Sequence, residues 1–208
     1  MLALPSLPPP VAAHVAAAVA CAPERPRALL VADMSEPSRQ PRLWVFDLRD
    51  PQHPVVMRTW VAHGYGSDPH NTGMATLFGD EEDSGKTSLG SYRIAESYIG
   101  KYGLSYRLEG LSPSNANAYT RDVMLHPAPY VNPGYAGRSG GCAAVSFSAL
   151  AKMDQHFGSL SGGLLWVDGP GVQAPSCAAT RWPPSWTLPA GSAWTMRSPP
   201  MQACSVNV

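Results

Sequence analysis

The segment Gly137-Arg-Ser-Gly-Gly-Cys142 ends a glycine-rich run in a thiol, and His126 stands upstream at the end of a predicted strand. A thiol becomes a nucleophile when it is deprotonated, has a base at hand and has donors for the oxyanion it creates. The glycines supply bare backbone whose N–H groups can converge on one oxygen. A side chain at a strand end, such as His126, can face the same pocket. Nucleophilic attack by a thiolate, with its oxyanion held by backbone donors, is the chemistry this pair could perform. Spacing alone leaves the other reading open, in which Cys142 is inert core.

The remaining histidines divide by setting. His70 sits in a polar loop and His156 near a helix C-terminus, where a cation is favourable. His63, in Val61-Ala-His-Gly64, either brings a second imidazole to the thiol from another strand or is a satisfied structural histidine. A metal site drawn from His63, His70, His126 and Cys142 lacks helical or hairpin ligand spacing, so neither a metal nor a cofactor is expected.

Short stretches of alternating apolar and polar residues must position these groups. Strands are predicted at Arg27–Ala32, Arg42–Leu48, Val55–His63, Gly90–Ala95, Ser105–Leu108, Asp122–His126 and Gly163–Val167. One helix is predicted over Ser148–Phe157, capped by Ser146 or Ser148 and stopped at Gly158. Another is predicted over Val11–Cys21, starting near Pro10. Gly64–Lys86, rich in Gly, Ser, Asp and Asn, reads as a long functional loop. The fold class is therefore mainly β with a few short helices.

With 208 residues and 22 prolines, the chain carries about twice the usual proline. The prolines crowd at or before Pro54 and at or after Pro170, which leaves the middle free to form sheet ladders. This gives residues 1–26 as an Ala/Pro-rich helix and linker, 27–168 as the organised domain and 169–208 as a Pro/Trp-rich extension packing on it. Fifteen basic and fifteen acidic side chains balance to zero, so a polyanion such as nucleic acid is a poor partner. No apolar run is long enough to span a membrane. Of the four cysteines, Cys177 and Cys204 bracket the tail with Trp182, Trp186 and Trp194, and a bridge there is expected, implying an oxidising compartment. Cys21 is an available partner for either.

Several ordered motifs carry a resemblance. Thr87-Ser-Leu-Gly-Ser-Tyr-Arg-Ile94, Tyr98-Ile-Gly-Lys-Tyr-Gly-Leu-Ser105, Leu108-Glu-Gly-Leu111 and Asn115 to Arg121 lead to His126, Tyr130-Val131 and the Cys142 segment. Upstream stand Ala32 to Ser38, Arg42 to Leu48 and Val61-Ala-His-Gly64. Together they resemble the murein L,D-transpeptidase (YkuD-type) catalytic domain, in its branch with a G-R-S-x-G-C nucleophile loop, over roughly Leu29 to Val167.

The resemblance implies a mixed β-sandwich of the L,D-transpeptidase catalytic type with the cysteine loop at one end of a cleft. It implies Cys142 as nucleophile, His126 as its base, Gly141 and Cys142 as oxyanion donors, and Ser139 as the serine of the loop. Arg138 would bind a stem carboxylate or pair with a loop carbonyl or acid. Gly140, His63 and Tyr130 complete the implied substrate-binding set. Tyr98, Tyr102, Tyr106, Tyr119 and Tyr130 either line the cleft or pack across strands. Three departures stand out. Gly140 replaces the family's frequent histidine. Pro127 follows His126 where the branch has glycine, although its carbonyl can still orient the imidazole. Ala143-Ala144 replaces Pro-Ala.

The implied partners are peptidoglycan stem peptides, as donor and acceptor, in the periplasm or cell envelope. Met1–Ala22 lacks a basic n-region, so an export signal is expected to lie outside this sequence. The expected activity is an L,D-transpeptidase that forms cross-links through a cysteine thioester. An L,D-carboxypeptidase giving the same thioester to water, and a catalytically silent peptidoglycan-binding domain, are the alternatives.

Overall fold

Strand β1 (Ala28–Asp33) is buried at all six residues, so both of its faces must be covered. In the computed structural model, which describes Leu4, residues 6–52 and residues 54–181, they are. Leu30 and Ala32 enter one apolar cluster, while Leu29 and Val31 enter another on the opposite face. β2 (Leu43–Asp47) repeats the split, with Leu43 and Val45 on one side and Trp44 and Phe46 on the other. The chain continues through β3 (Val55–Thr59), β4 (His63–Gly64), β5 (Gly90–Gly100), β6 (Gly103–Gly110) and β7 (Met124–Pro127). Then come β8 (Val131–Asn132), β9 (Tyr135–Ala136), β10 (Arg138–Ser139), β11 (Ala143–Val145) and β12 (Leu164–Asp168).

Eight strands form one mixed sheet in the order β11-β7-β6-β5-β12-β1-β2-β3, and β10–β4 and β8–β9 form two-stranded ribbons. Only β1–β12 and β11–β7 are parallel pairs within the large sheet. Its two edges meet: just past β3, the Ala62 N–H donates to the Ala144 carbonyl on β11 at 2.8 Å. The sheet therefore curls over the larger cluster, which gathers Leu30, Val45, Ile94, Leu108, Leu125 and Val145 from across it. This is the expected mixed β-sandwich.

Two helices close the layers. α1 (Pro9–Ala20) lays Val11, Val15 and Ala18 on the cluster holding Trp44 and Trp166. It is fixed there by His14 Nδ1, 2.8 Å from the Asp168 carboxylate. α2 (Phe147–Phe157) buries Ala149, Leu150, Met153 and Phe157 against the larger cluster. Ser146 caps it by accepting the Ala149 N–H, and Gly158 ends it.

Two strands differ from expectation. The single strand expected over Val55–His63 is interrupted, because Arg42 takes the Val61 carbonyl and Ala144 takes the Ala62 N–H. The β5–β6 hairpin runs well beyond the apolar stretches that predict it, to a two-residue Lys101-Tyr102 turn. Its outer half carries exposed residues such as Ile99 and lacks the alternation that marks a half-buried strand.

The cysteine pairing is a correction. Cys177 bonds Cys21, with Cα atoms 4.9 Å apart, so it does not bridge Cys204, which lies outside the described residues. Bracketing in sequence carried no information about what α1 brings near. The second cluster on which α1 packs also takes Leu111 and Val172, and the extension passes there, with the Arg181 N–H bonded to the Leu111 carbonyl. The bridge closes a sequence separation of 156. Loop-closure entropy sets an upper contribution of about 5 kcal/mol. Cys21→Ser is expected to lower the thermal midpoint by about 5–15 °C, at roughly 2–4 °C per kcal/mol for a chain of this size. An unchanged midpoint in oxidised protein would refute the bridge.

Candidate active site

β7 and β11 run parallel with His126 opposite Ala144, so Cys142, the residue before β11, lies against β7 two positions before His126. The Met124 N–H points at Cys142 Sγ at 3.3 Å, and the Asp122 carbonyl oxygen is 3.6 Å from the same sulfur. Met124 and His126 share one face of the strand, because side chains alternate. Cys142 is almost wholly buried and is in disulfide form.

His126 is buried as well, with Nδ1 2.9 Å from the Pro127 carbonyl oxygen. A carbonyl can only accept, so Nδ1 carries the proton and Nε2 keeps its lone pair. Nε2 is buried without a hydrogen-bond partner among the described residues. Burial holds the imidazole pKa below its ordinary value, against a smaller upward pull from the Pro127 carbonyl. Tyr102, at the tip of the β5–β6 hairpin, stacks over the ring with centroids 6.4 Å apart and meets Phe147 edge-on. Proline after the histidine thus leaves in place the acceptor that fixes the tautomer.

The Gly137–Cys142 turn is organised by Ser139. Its Oγ donates to the Cys142 carbonyl at 2.7 Å and accepts the Gly141 N–H at 3.1 Å. The Gly141 amide, one of the two expected oxyanion donors, is thus bonded to Ser139 in this structure. Gly141 has φ +117, and a Cβ there would stand 2.7 Å from the Lys86 carbonyl oxygen. Gly140 is partly exposed at the turn. Arg138 is partly exposed and donates to the Asp68 backbone carbonyl at 2.7 Å, which matches its loop-carbonyl reading. The Tyr130 ring packs against Gly137, and its buried hydroxyl finds no partner among the described residues. Burial raises that phenol's pKa.

Of the two readings of His63, its surroundings match the structural one. It has no exposed surface and pairs with Arg138 across the β4–β10 ribbon. Arg42 Nη2 donates to its Nδ1 at 2.7 Å, which leaves the proton on Nε2, 3.4 Å from the Asp68 carboxylate. Burial, aided by the Arg42 charge, lowers its pKa to about 4. A neutral histidine clamped in this way is structural and cannot touch substrate. Arg42, itself wholly buried, also donates to the carbonyls of Val61 and Glu36. In the sequence it stands only as the first residue of a predicted strand and of the Arg42 to Leu48 motif. An arginine leading an apolar run is the one signal of that buried cage.

A cleft of about 760 Å³ lies elsewhere, between Thr76–Asp80, Ser112–Ser114 and the extension from Pro170. Neither Cys142 nor His126 lines it. Among the described residues, no helix is long and apolar enough to cross a membrane.

The L,D-transpeptidase catalytic domain family model (YkuD_2) matches residues 11–163. No curated protein matches the sequence. Solved structures similar to it are distant. The helical cell shape determining protein Pgp2 from Campylobacter jejuni is 14% identical, covering 72% of this chain and 50% of its own, with TM-score 0.45. L,D-transpeptidase 3 from Mycobacterium tuberculosis is 16% identical, covering 69% and 61%, with TM-score 0.42. An L,D-transpeptidase from Xylanimonas cellulosilytica is 12% identical, covering 70% and 62%, with TM-score 0.42. The chain thus spans about half to three fifths of the length of these proteins. The family match extends over far more than half of the sequence, and on that ground the chain belongs to the L,D-transpeptidase catalytic domain family.

Proposed function

We propose that the protein is a peptidoglycan L,D-transpeptidase acting through a thioester on Cys142. The observation that carries the reading is the tautomer of His126: with Nδ1–H directed to the Pro127 carbonyl, the basic Nε2 is left over on the strand that Cys142 lies against. In reduced protein, Nε2 takes the thiol proton, and Sγ attacks the carbonyl carbon at the L-centre of a donor stem peptide. The C–N bond to the terminal D-amino acid breaks, and the proton on Nε2 passes to the leaving amine. An acceptor amine then attacks the thioester carbonyl, releasing the thiol and leaving a cross-link. Oxyanion binding at Gly141 requires its N–H to swing from Ser139 Oγ to the new oxygen, so Ser139 gates the turn. Tyr130, Arg138 and Gly140 form the rim that stem-peptide groups would meet. The Cys21–Cys177 bridge supports placement in the periplasm or cell envelope.

The test is incubation of reduced protein with tetrapeptide-containing muropeptides. Released D-amino acid with a cross-linked dimer is the expected result. Release with tripeptide as the sole product would instead mean an L,D-carboxypeptidase. No turnover in folded, reduced protein would leave a binding domain.

A further inference from the structure

Three backbone segments converge beside the nucleophile turn with no side chain between them. A Cβ on Gly64 would stand 2.1 Å from the Gly85 carbonyl oxygen and 3.0 Å from Gly141 Cα. Residues 85–87 thus form a wall against both β4 and the turn, and something must hold that wall in place. Gly64 N–H donates to Thr87 Oγ1 at 2.9 Å, and Thr87 N–H donates to Ser67 Oγ at 2.9 Å. The outer side is held by Arg121. Its Nη2 donates to the Lys86 carbonyl at 2.9 Å and its Nη1 to the Asp80 carboxylate at 2.9 Å. Weaker contacts reach Gly79, Ser84 and Ser88. The same Nη2 lies 3.3 Å from where a Cβ on Gly141 would be.

We propose that Arg121 is a positioning residue for the nucleophile turn: by bonding the Lys86 carbonyl it presses the wall against Gly141 and sets where the Gly141 and Cys142 amides point. Its place in the chain suits the task. Arg121 is 8% exposed and stands one residue before Asp122 and three before Met124, whose backbones touch Cys142 Sγ, so one short segment contacts the sulfur and anchors the wall. A planar fork is required, because two carbonyl-level acceptors and a carboxylate are spanned by one side chain. The proposal rests on reading Cys142 as the nucleophile.

The test uses the reduced full chain with Arg121→Met and Arg121→Lys. Misplacement by about an ångström can cost roughly 100-fold in rate. Arg121→Met is accordingly expected to lower kcat about 10- to 100-fold with KM held within about threefold, and Arg121→Lys to recover part of the loss. Amide hydrogen exchange should quicken in peptides covering 84–88 and 139–142 while β1 and β2 keep their protection. Faster exchange throughout, or kcat and KM falling together, would make Arg121 merely structural and overturn the proposal. Unchanged exchange at 139–142 in both variants would overturn it too. If the unmodified protein shows no turnover, the reading of Cys142 fails on its own, and the exchange pattern still decides whether Arg121 controls the turn.

Discussion

Oxidised protein is expected to resist acylation by a carbapenem, and reduced protein to take up one equivalent on Cys142. A β-lactam of this class offers a strained amide carbonyl to a nucleophile without needing the acceptor site. Cys142 is disulfide-bonded, and a disulfide sulfur has no thiolate with which to attack. A dithiol reductant exchanges with the disulfide, becoming oxidised itself and returning two thiols to the protein. The sulfur then faces the Met124 N–H, a donor suited to a developing thiolate, on the strand that carries neutral His126. The change is from no adduct to a full one, read by intact mass. Cys142→Ala should stay unlabelled in both conditions while keeping its β-sheet circular dichroism. The Cys21→Ser/Cys177→Ser pair removes the other bridge and should keep the need for reductant, which separates the two disulfides. Full labelling without reductant would show that Cys142 is reduced in solution. Labelling of Cys142→Ala would remove it as the nucleophile.

Much of this site is legible in sequence because its parts are local. The Gly137–Cys142 run announces a turn, and the helix after it announces its own caps at Ser146 and Gly158. His126 at a strand end, with a carbonyl next to it in Pro127, already holds the tautomer argument. What is not legible depends on approach between distant segments. The Cys21–Cys177 bridge depends on where α1 packs. The commitment of the Gly141 N–H to Ser139 depends on a hydroxyl rotation within the turn that no pattern of residue types encodes. His63 reads in sequence either as a second imidazole for the thiol or as a structural histidine, and residue type alone does not choose between them. Its burial is set by Arg42, which lies on β2's N-terminal side and whose guanidinium is held by carbonyls in two different loops. The four short strands from β8 to β11 escape notice for a related reason. Two or three residues carry no period, and these strands exist only because neighbours pair with them.

Stability is expected to fall as the pH drops from 7 to 4.5, with His63 the main cause. Its imidazole titrates ordinarily at 6.5, and burial beside Arg42 lowers this to about 4. Between those values the unfolded chain binds a proton that the folded chain refuses. The slope of unfolding free energy with pH is therefore positive there, approaching about 1.4 kcal/mol per pH unit for one histidine. The loss for His63 reaches about 3 kcal/mol by pH 4. His126, lowered in the same direction, steepens the upper part of the window. Asp47 and Asp68 act at more acid pH, because their lowered values mean that their contribution is lost only below the ordinary carboxylate range. Urea unfolding at pH 7, 6, 5 and 4.5 reads the slope directly. His63→Asn keeps an oxygen to accept from Arg42 but cannot titrate, so its curve should be flatter over the window. An equal slope in wild type and variant would show that His63 does not carry the effect. The same burial lowers the His126 imidazole as well, so carbapenem acylation of reduced protein should fall off at more acid pH than an exposed imidazole would allow.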